Sequence, residues 1–187
     1  MTRVVGFAKV ARALLLTTAL AACERSATSP TALTMVPRFD AAGAAQLEAP
    51  SHRGGTISNA FGRKGGHLEF RDSSAQGIAY QLDVPPDAVD DDATFELNVL
   101  PGQSYVVSLK ATGAGGADVG RKGFRQAVRL TISYASARHP AAAARMVVLW
   151  LPDDGSAPVP MRTLVNPVQK TITAYLPHFC RYTIAIW

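Results

Sequence analysis

Few side chains here could do chemistry, and they fall in three places. Asp87, Asp90, Asp91 and Asp92 crowd one stretch, where four oxygen donors offer a site for Ca²⁺. Their spacing is not that of an EF-hand loop, and no bidentate Glu closes it at the twelfth position. Acidic residues beside a strand start also serve as turn formers and solubility gatekeepers. His178 and Cys180 flank Phe179, setting an imidazole base two residues from a thiol nucleophile. Yet Cys180, Tyr182, Ile184 and Ile186 alternate with Arg181 and Thr183. That pattern makes Cys180 a small buried hydrophobe on a strand face. Cys23 is the other cysteine of the two. His52, His67, His139 and His178 are too far apart for zinc-type spacing. The basic loops Gly62-Arg63-Lys64-Gly65-Gly66 and Gly120-Arg121-Lys122-Gly123 lack the frame of a P-loop. They read as solvated loops with at most a weak pull on anionic headgroups or glycans.

The setting of Cys23 gives it a separate role. Residues 1–12 are basic and hold no acid, and Ala13 to Ala22 then reads ALLLTTALAA. Ten helical residues rise about 15 Å, half of the roughly 30 Å hydrocarbon core, so this is a secretory signal and not a membrane span. Leu20-Ala21-Ala22-Cys23 resembles the lipobox of bacterial lipoproteins, in which the cysteine is acylated and becomes the new N-terminus. The plainer alternative is an ordinary signal cut after Ala-Leu-Ala or Leu-Ala-Ala. Each buried CH₂ of an acyl chain adds about 0.8 kcal/mol, so two or three palmitate-like chains hold permanently. By resemblance to Gram-negative lipoproteins, Glu24 in place of the retention residue Asp favours the outer membrane.

Of the 187 residues 48% are hydrophobic, 18% charged and 7% aromatic, which excludes a disordered acidic tail, a collagen-like repeat and a disulfide scaffold. Three of the 19 Lys and Arg (Arg3, Lys9, Arg12) lie in the leader, so 16 basic face 14 acidic residues in the remainder. A net +2 gives no reason to expect a nucleic-acid partner.

Residues 23–60, rich in Ser, Thr, Ala, Pro and Gly with scattered apolar residues, read as a lipidated cysteine followed by a flexible tether. Residues 39–48 are compatible with one short helix, interrupted by Gly43.

From residue 61 to 187 the texture becomes strict alternation. Ile78, Tyr80, Leu82 and Val84 point one way; Phe95, Leu97 and Val99 repeat the pattern. So do Tyr105, Val107 and Leu109, then Val128, Leu130, Ile132 and Tyr134, and finally Ile172, Ala174 and Leu176. Period two means strands with one buried face, whereas the unbroken MVVLWL of Met146–Leu151 predicts a strand covered on both. Turn signals at Pro85-Pro86-Asp87, Pro101-Gly102, 113–116, 152–155 and Asn166-Pro167 divide the runs. Eight or nine strands and no helix-length periodic segment predict an all-β fold, an antiparallel β-sandwich, large enough to fold without staples.

Three patterns in order carry a further resemblance. Gly65-Gly66-His67-Leu68 opens a strand, Val84-Pro85-Pro86-Asp87-Ala88-Val89 follows the next, and Leu176-Pro177-His178-Phe179-Cys180-Arg181-Tyr182 enters the last. Together, over about residues 62–187, they resemble the ZU-five domain, a β-sandwich of zonula-occludens scaffolds, uncoordinated-five netrin receptors, ankyrins and bacterial envelope proteins. Asp87 stands where that family usually has Gly, a position that tolerates Asp if φ is positive. Cys180 replaces the Ser of a closing His-Phe-Ser. In some members of the family that sequence breaks its own Phe–Ser bond. The resemblance therefore implies Cys180 as nucleophile and His178 as base for self-cleavage at Phe179–Cys180, through a thioester. With Cys23 acylated, no second cysteine is left to form a disulfide with Cys180, and a thiol in an oxidising envelope is best kept buried.

The expectation is a non-enzymatic, lipid-anchored envelope protein. Its sandwich would bind or scaffold a protein or glycan through sheet edges or loops, with no cofactor. A self-processing domain at His178 and Cys180 and a loop-borne Ca²⁺ module are the alternatives.

Overall fold

A computed structural model describes residues 44–75, 77–138 and 145–186. The expected signal peptide (1–22), Cys23 with the first part of the tether, and His139 lie outside the described residues.

Among the described residues fourteen strands run in chain order. They are β1 (Ala45–Gln46), β2 (Glu48–His52), β3 (Gly55–Phe61), β4 (Gly66–Arg71), β5 (Ile78–Val84), β6 (Ala93–Val99) and β7 (Gly102–Ser104). Then come β8 (Val107–Gly113), β9 (Val128–Tyr134), β10 (Met146–Leu151), β11 (Val159–Pro160), β12 (Thr163–Asn166), β13 (Thr171–Leu176) and β14 (Arg181–Ile186). One short helix, α1 (Val119–Lys122), lies between β8 and β9. Asp118 caps it by accepting a hydrogen bond from the Arg121 N–H.

All strand pairs are antiparallel, and the fold is the β-sandwich that the alternation predicts. One sheet runs β11-β10-β14-β8-β6-β3, and the facing sheet runs β12-β13-β9-β5-β4. β5 reads buried and half-buried by turns, and β6, β9 and β13 repeat the rhythm. Each sheet thus turns one face inward. Tyr80, Leu82, Phe95, Leu97, Leu130, Ile132, Ile172 and Ile184 fill the core between them with no solvent exposure. Each such side chain contributes about 1.5–3 kcal/mol by leaving water. β10 is covered on both faces. Met146 and Val148 join the main core, and Val147 and Leu149 form a second cluster with Ala185 of β14.

The folded region begins earlier than residue 61, which corrects the expected tether boundary. Ala45 pairs with Ile186 and Gln46 with Ala185, and the Leu47 N–H donates to Ile184 C=O at 3.0 Å. Leu47 and Ala49 are buried in the core. Ala45–Gln46 and Glu48–His52 are therefore strands, and the short helix with which residues 39–48 were compatible does not form over the described part of that range. β2 pairs with β7 and is pinned at its end by His52, which donates from Nδ1 to Gly102 C=O at 2.9 Å. Beside it, Asp72 accepts from the Gly54 N–H at 2.9 Å and from Ser74. β3 escaped recognition because it is an edge strand. Most of it is exposed, so its residues need no apolar alternation.

Asp87 is one of two non-glycine residues with positive φ among those described, at 57°. The turn after β5 demands the left-handed conformation that glycine adopts most cheaply.

Candidate functional site

β14 is entered through a corner formed by residues 177–180, and four hydrogen bonds hold it. Pro177 C=O accepts from the Phe124 N–H at 2.8 Å, and the Phe179 N–H donates to Gly120 C=O at 2.9 Å. Cys180 C=O accepts from the Leu109 N–H at 3.0 Å. His178 C=O accepts from the Tyr182 hydroxyl at 2.6 Å, the device by which a tyrosine corner fastens a sandwich strand to its own entry loop.

The three side chains of the motif go separate ways. Phe179 is buried in an aromatic cluster, its ring 4.6 Å from that of Phe124 and 5.8 Å from that of Phe95, both edge-on. α1 presses on it from outside. A Cβ placed on Gly120 would lie 3.0 Å from the Phe179 Cβ and 3.1 Å from the Ala111 nitrogen, so any other residue here must push a neighbour aside. His178 is half-buried. Its ring stands edge-on to Trp150 at 4.7 Å, and Nδ1 is 3.5 Å from the Tyr182 hydroxyl. That burial holds the imidazole below its ordinary 6.5, partly offset by a hydrogen bond with the Phe179 backbone. Such a ring is neutral near pH 7 and so able to accept a proton.

Cys180 is buried at 7% exposure and belongs to the main core, as the alternation predicts. It also lines the floor of a 320 Å³ cleft with Phe179, Leu109 and Lys110. The rim of that cleft is an ion-pair network. Arg121 reaches Asp153 at 3.1 Å and Asp118 at 3.4 Å, and Arg181 reaches Asp153 at 3.3 Å. Sequence reasoning missed this rim, because 32 residues separate Arg121 from Asp153. None of His178, Phe179 and Cys180 has a positive φ. The corner is a packed joint with these backbone groups engaged.

The acidic loop does not assemble as a metal centre. Among the described residues no three His, Cys, Asp or Glu side chains converge as ligands. Asp90 is instead paired with Arg125 at 2.8 Å, and its carbonyl accepts from Arg63 Nε at 3.0 Å. Asp90, Asp91 and Asp92 line a 500 Å³ hollow opposite Gly62, Arg63 and Lys64. Of the four acids that offered an alternative Ca²⁺ site, Asp90 is thus engaged by Arg125. Asp87 serves the turn, its N–H donating to Arg63 C=O at 2.8 Å. His52 and His67 are likewise spent locally, His67 on Asp83 at 2.8 Å. No described helix is long and apolar enough to cross a membrane.

Neither the protein-family models nor the curated proteins contain a match to this chain.

Proposed function

We propose that this chain is an envelope lipoprotein whose β-sandwich is a non-enzymatic binding or scaffolding domain. Acylation of Cys23 would tether it to a membrane, the outer membrane of a Gram-negative cell by the choice of Glu24. The observation that carries this reading is Leu20-Ala21-Ala22-Cys23 directly after a basic segment and a ten-residue apolar run. The sandwich begins at Ala45, so about twenty residues separate it from the anchor, a root-mean-square reach of roughly 25 Å for a flexible chain. The ZU-five-like order of Gly65-Gly66, Pro85-Pro86-Asp87 and His178-Phe179-Cys180 agrees with a domain that presents edges and loops to a protein or glycan. The positive φ of Asp87, at the family's usual glycine, fits that likeness.

Labelled palmitate tests the anchor. The wild-type chain is expected to take up label and Cys23→Ala to lose it; equal labelling of both overturns the proposal. Intact-mass measurement of the membrane-extracted protein examines the self-processing alternative in the same sample. The expected result is one acylated chain unbroken between Phe179 and Cys180, and a species broken there would favour cleavage.

A further inference from the structure

Among the described residues the two sheets end in four edges, and three of them carry devices that discourage pairing. β11 has two residues, one of them Pro160. β12 has four and runs into Pro167. β4 exposes His67, Glu69 and Arg71. β3 differs from all three, with seven residues, GTISNAF, and neither a charge nor a proline.

Hydrogen-bond alternation shows which of its backbone groups face outward. The Leu100 N–H donates to Val106 C=O. With the β6–β8 register, this directs the backbone of Thr94, Glu96 and Asn98 toward β8 and that of Phe95 and Leu97 toward β3. Ile57 and Asn59 answer Leu97 and Phe95, leaving Thr56, Ser58 and Ala60 facing away from the sheet. Independently, the Ala60 N–H donates to its neighbour Asn59 Oδ1 at 2.9 Å and not to β6. Ile57 and Phe61 pack against the core from this edge but are only partly buried, so another strand would cover them further.

We infer that β3 is a self-pairing edge, through which the chain adds antiparallel to a second copy of itself. A two-fold axis at Ser58 sets Ser58 opposite Ser58, and Thr56 opposite Ala60, in the other copy. Thr56, Ser58 and Ala60 are small, exposed and uncharged, so an isologous pair brings no like charges together. The two sheets become one continuous sheet, with β6–β3 of one copy joined to β3–β6 of the next. Asn59 is the single guard on the edge, and the Ala60 N–H exchanges its side chain for the Thr56 carbonyl of the other copy. Self-pairing names one partner for the scaffold proposed above and rests on that reading for its purpose, though not on acylation.

Analytical ultracentrifugation of the full chain in detergent, over a concentration series, tests this inference. The wild-type chain is expected to dimerise reversibly. Ser58→Lys sets two cations face to face, and Ser58→Pro removes an outward N–H that the fold does not use. Both should weaken the dimer by about tenfold or more while leaving the circular-dichroism spectrum and melting temperature unchanged. A wild-type chain monomeric throughout the series overturns the inference, as does a dimer that both variants leave intact. A monomer whose Thr56 to Ala60 amide resonances shift only with a foreign extended peptide overturns it in favour of a different partner. Repeating the series with Cys23→Ala separates the two proposals, since loss of the anchor leaves β3 pairing in place.

Discussion

The Tyr182 hydroxyl donates a 2.6 Å hydrogen bond to the main-chain oxygen of His178, four residues upstream. Tyr182 is fully buried, so the bond ties the closing strand to its own entry corner inside the core. Removing the hydroxyl leaves a shielded carbonyl with less to accept, at about 1–3 kcal/mol. Tyr182→Phe is expected to lower the unfolding free energy by that amount, read as a lower urea midpoint at an unchanged slope. An unchanged midpoint would show that the corner is held by its backbone bonds alone.

Gly120 meets the same corner from α1. Gly120→Ala sets a methyl group 3.0 Å from the Phe179 Cβ, forcing the helix outward at about 1–3 kcal/mol. A loss of that size should accompany a change in near-ultraviolet circular dichroism, because Phe179, Phe124 and Phe95 share one cluster.

Asp87 offers the opposite sign. Its φ of 57° costs an L-residue about 1–2 kcal/mol, part of which glycine returns as extra freedom in the unfolded chain. Asp87→Gly is therefore expected to raise the melting temperature slightly. The turn bond from its N–H to Arg63 C=O survives the change. A lower melting temperature would mean that the carboxylate contributes more than the backbone costs.

The half-buried imidazole of His178 makes stability depend on pH. Its folded pKa lies below the ordinary 6.5, so below that pH the unfolded chain binds the additional proton. Its contribution is complete above about 6.5 and declines as pH falls through the window beneath it. Urea midpoints taken at about pH 8 and pH 5.5 should differ more for the wild-type chain than for His178→Gln. Parallel pH curves for the two would place the ring in water.

Much of the sandwich was legible because its central strands face both core and solvent. Tyr80, Leu82, Phe95, Leu97, Leu130 and Ile132 occupy the buried positions that their period-two spacing assigns. β2 and β3 were not legible. β2 carries Pro50 and is held by Leu47, Ala49 and His52 through long-range packing, while β3 at the rim has little need of apolar residues. At the closing corner Cys180 was readable as core. The grip of Gly120 and the Arg121–Asp153 rim join residues far apart in the chain, and the reach of Tyr182 back to His178 is set by the curvature of the corner. In the acidic loop the sequence left turn formers and a Ca²⁺ site both open, because charge density says nothing of convergence, and Arg125 lies 35 residues beyond Asp90 in number but 2.8 Å away in space.

The pairing of β1 with β14 also sets how the domain bears mechanical load. Ala45 and Gln46 lie against Ile186 and Ala185, so a pull arriving from the N-terminal side acts along two paired residues and then on the strand seated between β10 and β8. Antiparallel strands drawn lengthwise resist by shearing, with their bonds loaded together, whereas a peeled strand yields one bond at a time. A lengthwise pull on β1 therefore loads its two paired residues together before it reaches β14, which β10 backs along its whole length.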